Sequence, residues 1–204
     1  MDPSPSGTPG EDGRLQAVLH LAESCRYEAE HTHQVARLAL MLFDELRPIH
    51  RLGAEERLWL QCGALLHDIG WVEGQQRHHK TALRIILDTP LLPFETRERF
   101  VIASIARYHR KALPDEKHDH FAALKPADRQ AVRVLAGMLR VADGLDRSHE
   151  SLVQSLSCAT SNQQLVIGCA ARRPAEVECQ YALAKGDLLE EVLGRKLVVE
   201  WQLL

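Results

Sequence analysis

The sequence lacks any long apolar run. None approaches the ~18 residues that a membrane span needs, so no transmembrane helix is expected. It also lacks paired cysteines. Cys25, Cys62, Cys158, Cys169 and Cys179 are odd in number, and no two form a C-x-x-C. That argues against a disulfide framework and a structural zinc finger, and it suits a reducing cytoplasm. No charge of one sign dominates: 25 Lys and Arg face 28 Asp and Glu, so nothing marks a nucleic-acid or membrane polycation. Aromatic residues are scarce, and Trp59, Trp71 and Trp201 read as packing residues rather than a nucleobase platform. Residues 1–13 lack the basic and apolar segments of a signal peptide. Their prolines and glycines make them a disordered tail.

What is present is a globular balance, with 45% hydrophobic and 26% charged residues in 204. That suits one ordinary domain with a small appendage. From Leu15 to about Ser148 apolar residues recur at three and four, as in Leu15, Val18, Leu19 and Ala22. Val35, Leu38, Leu42 and Leu46 predict a helix from near Glu28 that stops before Pro48. Leu58, Cys62, Leu65, Leu66 and Ile69 predict another, ending near Gly70. Further helices are expected over about His79–Leu87, Glu95–His109 and Ala127–Asp146. After Glu150 two short apolar runs flank Thr160, Ser161 and Asn162, which reads as a hairpin. Pro174 can open a helix to about Leu193, interrupted by Gly186, and Lys196–Gln202 reads as a last strand. The expected fold is therefore mainly α. A helical domain spans residues 14–149, and a small α+β appendage, β-β-α-β, spans 150–204.

The chain is rich in histidine, with 11, and the chemistry gathers around some of them. His67-Asp68 follows an apolar helix, and imidazole nitrogen plus carboxylate oxygen is a ligand pair for a divalent ion. His31, His78, His79 and His109 also sit at helix ends. Asp143 is flanked by apolar residues, so it faces inward, where a metal would remove the cost of an unpaired carboxylate. Asp146 either does the same or caps its helix. From Arg77 to Lys111, eight Lys or Arg stand against three Asp or Glu, a basic stretch in a chain of net charge -3.

The order His31, His67-Asp68, Asp143 resembles the HD-domain metal-dependent phosphohydrolase superfamily, a helical-bundle fold. The surrounding residues are closer to one branch. Cys25-Arg26-Tyr27, Leu65-Leu66-His67-Asp68-Ile69-Gly70, His78-His79-Lys80, Arg107-Tyr108-His109-Arg110-Lys111 and Ala142-Asp143-Gly144-Leu145-Asp146-Arg147 look like the C-terminal region of the exopolyphosphatase/guanosine pentaphosphate phosphatase (Ppx/GppA) family. The resemblance runs from about residue 14 to 204. That family's exopolyphosphatase chemistry belongs to an actin-like N-terminal half with Gly-rich phosphate loops, which this sequence does not show. Exopolyphosphatase activity is therefore not expected to carry over.

By the HD pattern, the resemblance implies one ion (Mn, Fe, Mg, Co, Ni or Zn) on His31, His67, Asp68 and Asp143. His78 and His109 match the further histidines of two-ion variants, with Asp68 bridging. The implied reaction is hydrolysis of a phosphate ester or anhydride of a nucleotide or other small phosphorylated anion by a metal-activated water. Asp68 would be catalytic through the ions, and His79 would donate a proton to the leaving group. Lys80, Arg110, Lys111, Arg147 and Arg26 are the expected phosphate-binding residues. The alternative is a non-catalytic module that binds polyphosphate or a guanosine nucleotide. No membrane or sequence-specific nucleic-acid partner is expected, and monomer and homodimer are both left open. His20, His33, His50, His118, His120 and His149 have no assigned chemistry, with His118 and His120 placed in a loop that either covers the pocket or, as the favoured reading, is simply solvated.

Overall fold

The computed structural model describes residues 10–90 and 92–204. Most of the expected tail, residues 1–9, lies outside the described residues. Helix α1 (Glu11–Ser24) begins inside the stretch expected to be tail. Glu11 and Asp12 in its first turn favour that start, because carboxylates offset the positive end of the helix dipole.

Helix α2 (Ala29–His50) runs through Pro48 instead of stopping before it. Proline costs an interior helix one hydrogen bond and a clash with the preceding turn. At Pro48 the helix has one turn left, and Arg51 then caps it in the left-handed region. Helix α3 (Ala54–Leu65) ends earlier than the apolar pattern predicts. Leu66, His67 and Asp68 form a turn, and a short 3-10 helix, Ile69–Glu73, follows. Leu66 and Ile69 are buried on either side of His67-Asp68. Each is worth about 1.5–3 kcal/mol of burial, which pins the polar turn in place.

Helices α4 (His78–Asp88), α5 (Thr96–Arg107), α6 (Asp119–Ala122) and α7 (Pro126–Gly144) complete the bundle. His118 and His120 thus belong to α6 and the residue before it, not to a solvated loop, and both rings pack near Tyr108. Gly70 sets the approach of α4. A β-carbon there would lie 2.0 Å from the backbone oxygen of His78, so only glycine lets the 3-10 helix meet the first turn of α4.

The appendage is β1 (Val153–Thr160), β2 (Gln164–Ala171), α8 (Glu176–Ala184), α9 (Asp187–Leu193) and β3 (Lys196–Leu203). Strands β1 and β2 pair antiparallel, β2 and β3 pair parallel, and β2 lies in the middle. The single helix expected over 174–193 is two helices. The amides of Lys185 and Gly186 close back on Tyr181 and Leu183, which ends α8 and turns the chain into α9. One hydrophobic core runs through both parts, from Val18 and Leu38 to Ile167 and Leu188. A β-carbon on Gly144 would sit 2.6 Å from Ala182 Cα, so the end of α7 touches the backbone of α8. The appendage is therefore held directly beside Asp143.

Candidate metal centre

Four element ends converge: the start of α2, the turn after α3, the start of α4 and the residues after α5, with the end of α7 closing the group. They bring together two sets of atoms that could hold a metal ion. His31, His67 and Asp143 form one, and Asp68, His78 and His109 form the other. Asp68 joins the two sets. Its Oδ2 is 3.5 Å from His67 Nε2, while its Oδ1 is 3.1 Å from His78 Nε2 and 3.5 Å from His109 Nε2. His31 Nε2 is 3.7 Å from Asp143 Oδ1.

The far side of each ring explains the orientation. His67 Nδ1 donates to Ala64 O at 2.6 Å, His109 Nδ1 to Ala106 O at 2.7 Å, and His78 Nδ1 to Gln75 O at 3.0 Å. His31 Nδ1 donates to Asp146 Oδ2 at 2.9 Å. A carbonyl or carboxylate oxygen only accepts, so each Nδ1 carries the proton and each Nε2 presents a lone pair. Four imidazole lone pairs and two carboxylates thus face a common space. His67 Nε2 and Asp68 Oδ1 are buried with no hydrogen-bond partner, and the Nε2 atoms of His78 and His109 are 3.3 Å apart. Buried acceptors left in that arrangement are costly. A divalent cation fits the donor set and removes the cost, and the outer hydrogen bonds are those expected around histidine ligands.

The titration directions agree. Burial alone would raise the Asp68 carboxyl, but His67, His78 and His109 outweigh it and hold it well below its ordinary value. Burial also works against Asp143, yet the Lys185 ammonium, then His109 and His67, bring it down to about 2. Burial pushes His109 well below the histidine range, so it is neutral. His31 goes the other way. Burial lowers it, but the Asp146 hydrogen bond and the charges of Asp143 and Asp146 raise it overall.

The Ppx/GppA phosphatase, domain III, family model matches residues 14–192. The chain belongs to this family. Among curated relatives, a guanosine-5'-triphosphate,3'-diphosphate pyrophosphatase from Pseudoalteromonas atlantica is 25% identical over 126 residues. The match covers 61% of this chain and 25% of that relative, so the chain spans about a quarter of its length.

In this domain III chain the ligand sets open into a cleft of about 460 Å³. Arg110, Lys111 and Arg147 line it together with Trp71, Gln75, His149, Tyr181 and Lys185. Arg110 Nη1 donates to His78 Nε2 at 3.3 Å. Lys111 and His149 have φ of 60° and 59°, a left-handed strain for side-chain-bearing residues of the kind found at binding sites. Four residues expected at the site are not in that lining: His67 is fully buried behind it with its Nε2 in the first set, Arg26 and Lys80 are exposed, and His79 is buried outside the cleft wall. Burial, followed by the Arg107 charge, lowers His79 to about 4. At neutral pH it therefore holds no ready proton.

The roles of several site residues escaped sequence reasoning. Asp146 is fully buried, and besides His31 it accepts from the Ser151 amide at 2.9 Å. It is neither a member of the two ligand sets nor a simple cap. Its sequence signal was its place one turn beyond Asp143. Lys185 Nζ contacts Asp143 Oδ2 from 42 residues away, and no local pattern announces it. His149 stacks on His31, with ring centroids 3.8 Å apart and planes within 4°. Trp71, read as a packing residue, is 45% exposed on the cleft rim and stacks on His78.

Proposed function

We propose that this chain is an HD-type metal-dependent phosphohydrolase acting on an ester or anhydride of a nucleotide or other small phosphorylated anion. The observation that carries this reading is the set of four Nδ1-anchored histidines. They aim their Nε2 atoms at Asp68 and Asp143, beside Arg110, Lys111 and Arg147. His31, His67 and Asp143 would hold one divalent ion and Asp68, His78 and His109 a second. Asp68 offers an oxygen to each set. A bound divalent ion supplies Lewis acidity toward phosphoryl oxygens and lowers the pKa of water.

The chain's own residues do the rest. Arg110, Lys111 and Arg147 neutralise charge growing on the phosphoryl oxygens. Trp71 and Tyr181 wall the cleft with aromatic surface. His149 replaces His79 as proton donor in this reading. It lines the cleft, and its Nδ1 bonds to Glu28 Oε1 at 2.9 Å, the pattern by which a carboxylate orients an acid–base histidine. The free thiols fit a cytoplasmic setting.

Metal analysis and a panel of phosphate esters and anhydrides test the reading, with Asp68→Asn and His149→Gln beside the parent chain. Asp68→Asn should lose bound metal and turnover, and His149→Gln should lose turnover while keeping metal. A parent protein that takes up no divalent ion would overturn it.

The match to a single domain of a longer relative favours a second reading: a module that binds polyphosphate or a guanosine nucleotide without cleaving it. Thermal shift with those ligands, followed by assay of released phosphate, separates the two. Binding without turnover across several divalent ions supports the module.

A further inference from the structure

Among the described residues few large apolar side chains stand in solvent, and they are not scattered evenly. Trp71 and Tyr181 are 45% and 43% exposed, and both line the metal cleft. Val72 follows Trp71, and Val177 sits one helical turn before Tyr181 on α8; both are exposed as well. A cleft lined mostly by His, Asp, Arg and Lys thus carries aromatic surface at its wall. Binding a phosphate group needs no such surface. Aromatic rings left wet inside a cleft suit the apolar part of a ligand.

Each ring has one face taken. Trp71 stacks on His78, and the Arg147 guanidinium lies 4.8 Å from the centroid of Tyr181. The exposure falls on what remains, which is a surface for a planar guest. The backbone fixes Tyr181 relative to the metal centre. A β-carbon on Gly144 would lie 2.8 Å from the Tyr181 carbonyl carbon, so α8 rests directly on the end of α7. Lys185, four residues further along, contacts Asp143 and lines the same cleft. Residues four apart on a helix have β-carbons about 5–6 Å from each other, a separation that a ribose can bridge. Gln75 adds an exposed side-chain amide to the lining, a donor and acceptor of the kind that pairs with a base edge. A sugar phosphate would leave both rings wet, and a polyphosphate would set charge against them. A nucleobase covers them.

We propose that Tyr181 and Trp71 form a base-recognition wall, so that the ligand of this cleft is a nucleotide rather than a sugar phosphate or a polyphosphate. The inference rests on the metal cleft as the phosphate site proposed above, and it does not require turnover.

The test is calorimetry on the full chain with Mn ions present. AMP, GMP, CMP and UMP are each compared with ribose 5-phosphate, which keeps the phosphate and sugar and lacks the base. Released phosphate is assayed in the same samples. At least one nucleotide should bind about tenfold or more tighter than ribose 5-phosphate, as base–aromatic stacking gives. In Tyr181→Ala the two affinities should converge, with the loss falling on the nucleotide. Tyr181→Phe should restore the gap, because a phenyl ring still stacks. Tyr181 lies outside the hydrophobic core, so Tyr181→Ala is expected to fold, and its binding of ribose 5-phosphate reports an intact cleft. Base preference without released phosphate would count against the hydrolase and for the base wall. No tighter binding of any of the four nucleotides, absence of binding included, would overturn the proposal. So would a gap that is unchanged in Tyr181→Ala.

Discussion

His31 Nδ1 lies 2.9 Å from the fully buried Asp146 Oδ2, and that bond decides which face of the ring meets the cleft. The other three histidines of the centre are oriented by backbone carbonyls three residues earlier in their own segments. His31 alone depends on a side chain from a distant helix end. His31 on helix α2 is therefore tied to the end of α7, and through Ser151 to the start of the appendage.

Asp146→Ala is expected to lower divalent-ion affinity by about ten- to a hundredfold, the usual effect of removing the partner of a ligating histidine. Asp146→Asn should lose less, since its amide oxygen still accepts from Nδ1. Calorimetry with Mn ions on both variants checks the order. Unchanged affinity in Asp146→Ala would show that packing alone orients His31.

The raised pKa of His31 makes ion uptake depend on pH. Below that pKa a proton occupies Nε2, the nitrogen facing the cleft, and an ion must displace it. Affinity should rise with pH through the raised value, by up to about tenfold per unit below it, and flatten above it. His109 and Asp68 add no slope in that window, because one is already neutral and the other ionised. The same proton has the opposite effect on the ion-free chain. Its contribution to stability is complete below the ordinary value of 6.5 and is lost as pH rises through the raised one. Titrations that start below 6.5 and continue upward until affinity flattens cover the range. A flat affinity across it would mean that His31 is not a ligand.

Much of this centre was legible in the sequence because its parts sit at helix ends with strong apolar periodicity behind them. His67-Asp68 follows the run to Leu66, and Asp143 lies where α7 turns inward. The structure brings both together with His31, His78 and His109. What could not be read was set by tertiary contact. Pro48 looked like a stop but falls one turn from the end of α2. His79 and Lys80 follow His78 directly, yet a helix turns successive side chains by about 100°, so neither joins it in the cleft. Lys185 comes from the far side of the chain, carried by the turn between α8 and α9. Its place depends on Gly144, whose missing β-carbon lets α8 reach the end of α7.

Lys185→Met should expose how far Asp143 relies on that lysine. The pair is mostly buried, with side chains 23% and 15% exposed. Breaking such a pair from one side leaves a carboxylate without its counter-ion, a loss of about 3 kcal/mol when fully buried and less here. The ion-free variant should therefore melt lower than the parent. A divalent ion supplies the missing positive charge, so the melting shift on adding Mn ions should be larger in Lys185→Met than in the parent. Equal shifts in the two proteins would show that Lys185 and the ion do not share Asp143.

Trp71 offers a direct optical report on the second ligand set. Its ring stacks on His78 with centroids 5.1 Å apart and planes at 21°. His78 Nε2 points at Asp68 while its Nδ1 is fixed to Gln75 O. An ion held by Asp68, His78 and His109 would draw electron density from the imidazole against which the indole packs, and the stacked pair is electrostatically sensitive to that change. The other two tryptophans lie elsewhere: Trp59 is fully buried in the core near Glu98, and Trp201 is on β3. Adding a divalent ion should therefore shift or quench tryptophan emission in the parent chain. Trp71→Phe should abolish the change while leaving ion uptake within about twofold, because phenylalanine keeps a stacking face on His78. His78→Ala should remove both the change and one ion per chain. An emission change that survives in Trp71→Phe would place the responding tryptophan elsewhere. An ion count unchanged in His78→Ala would remove His78 from the ligand set.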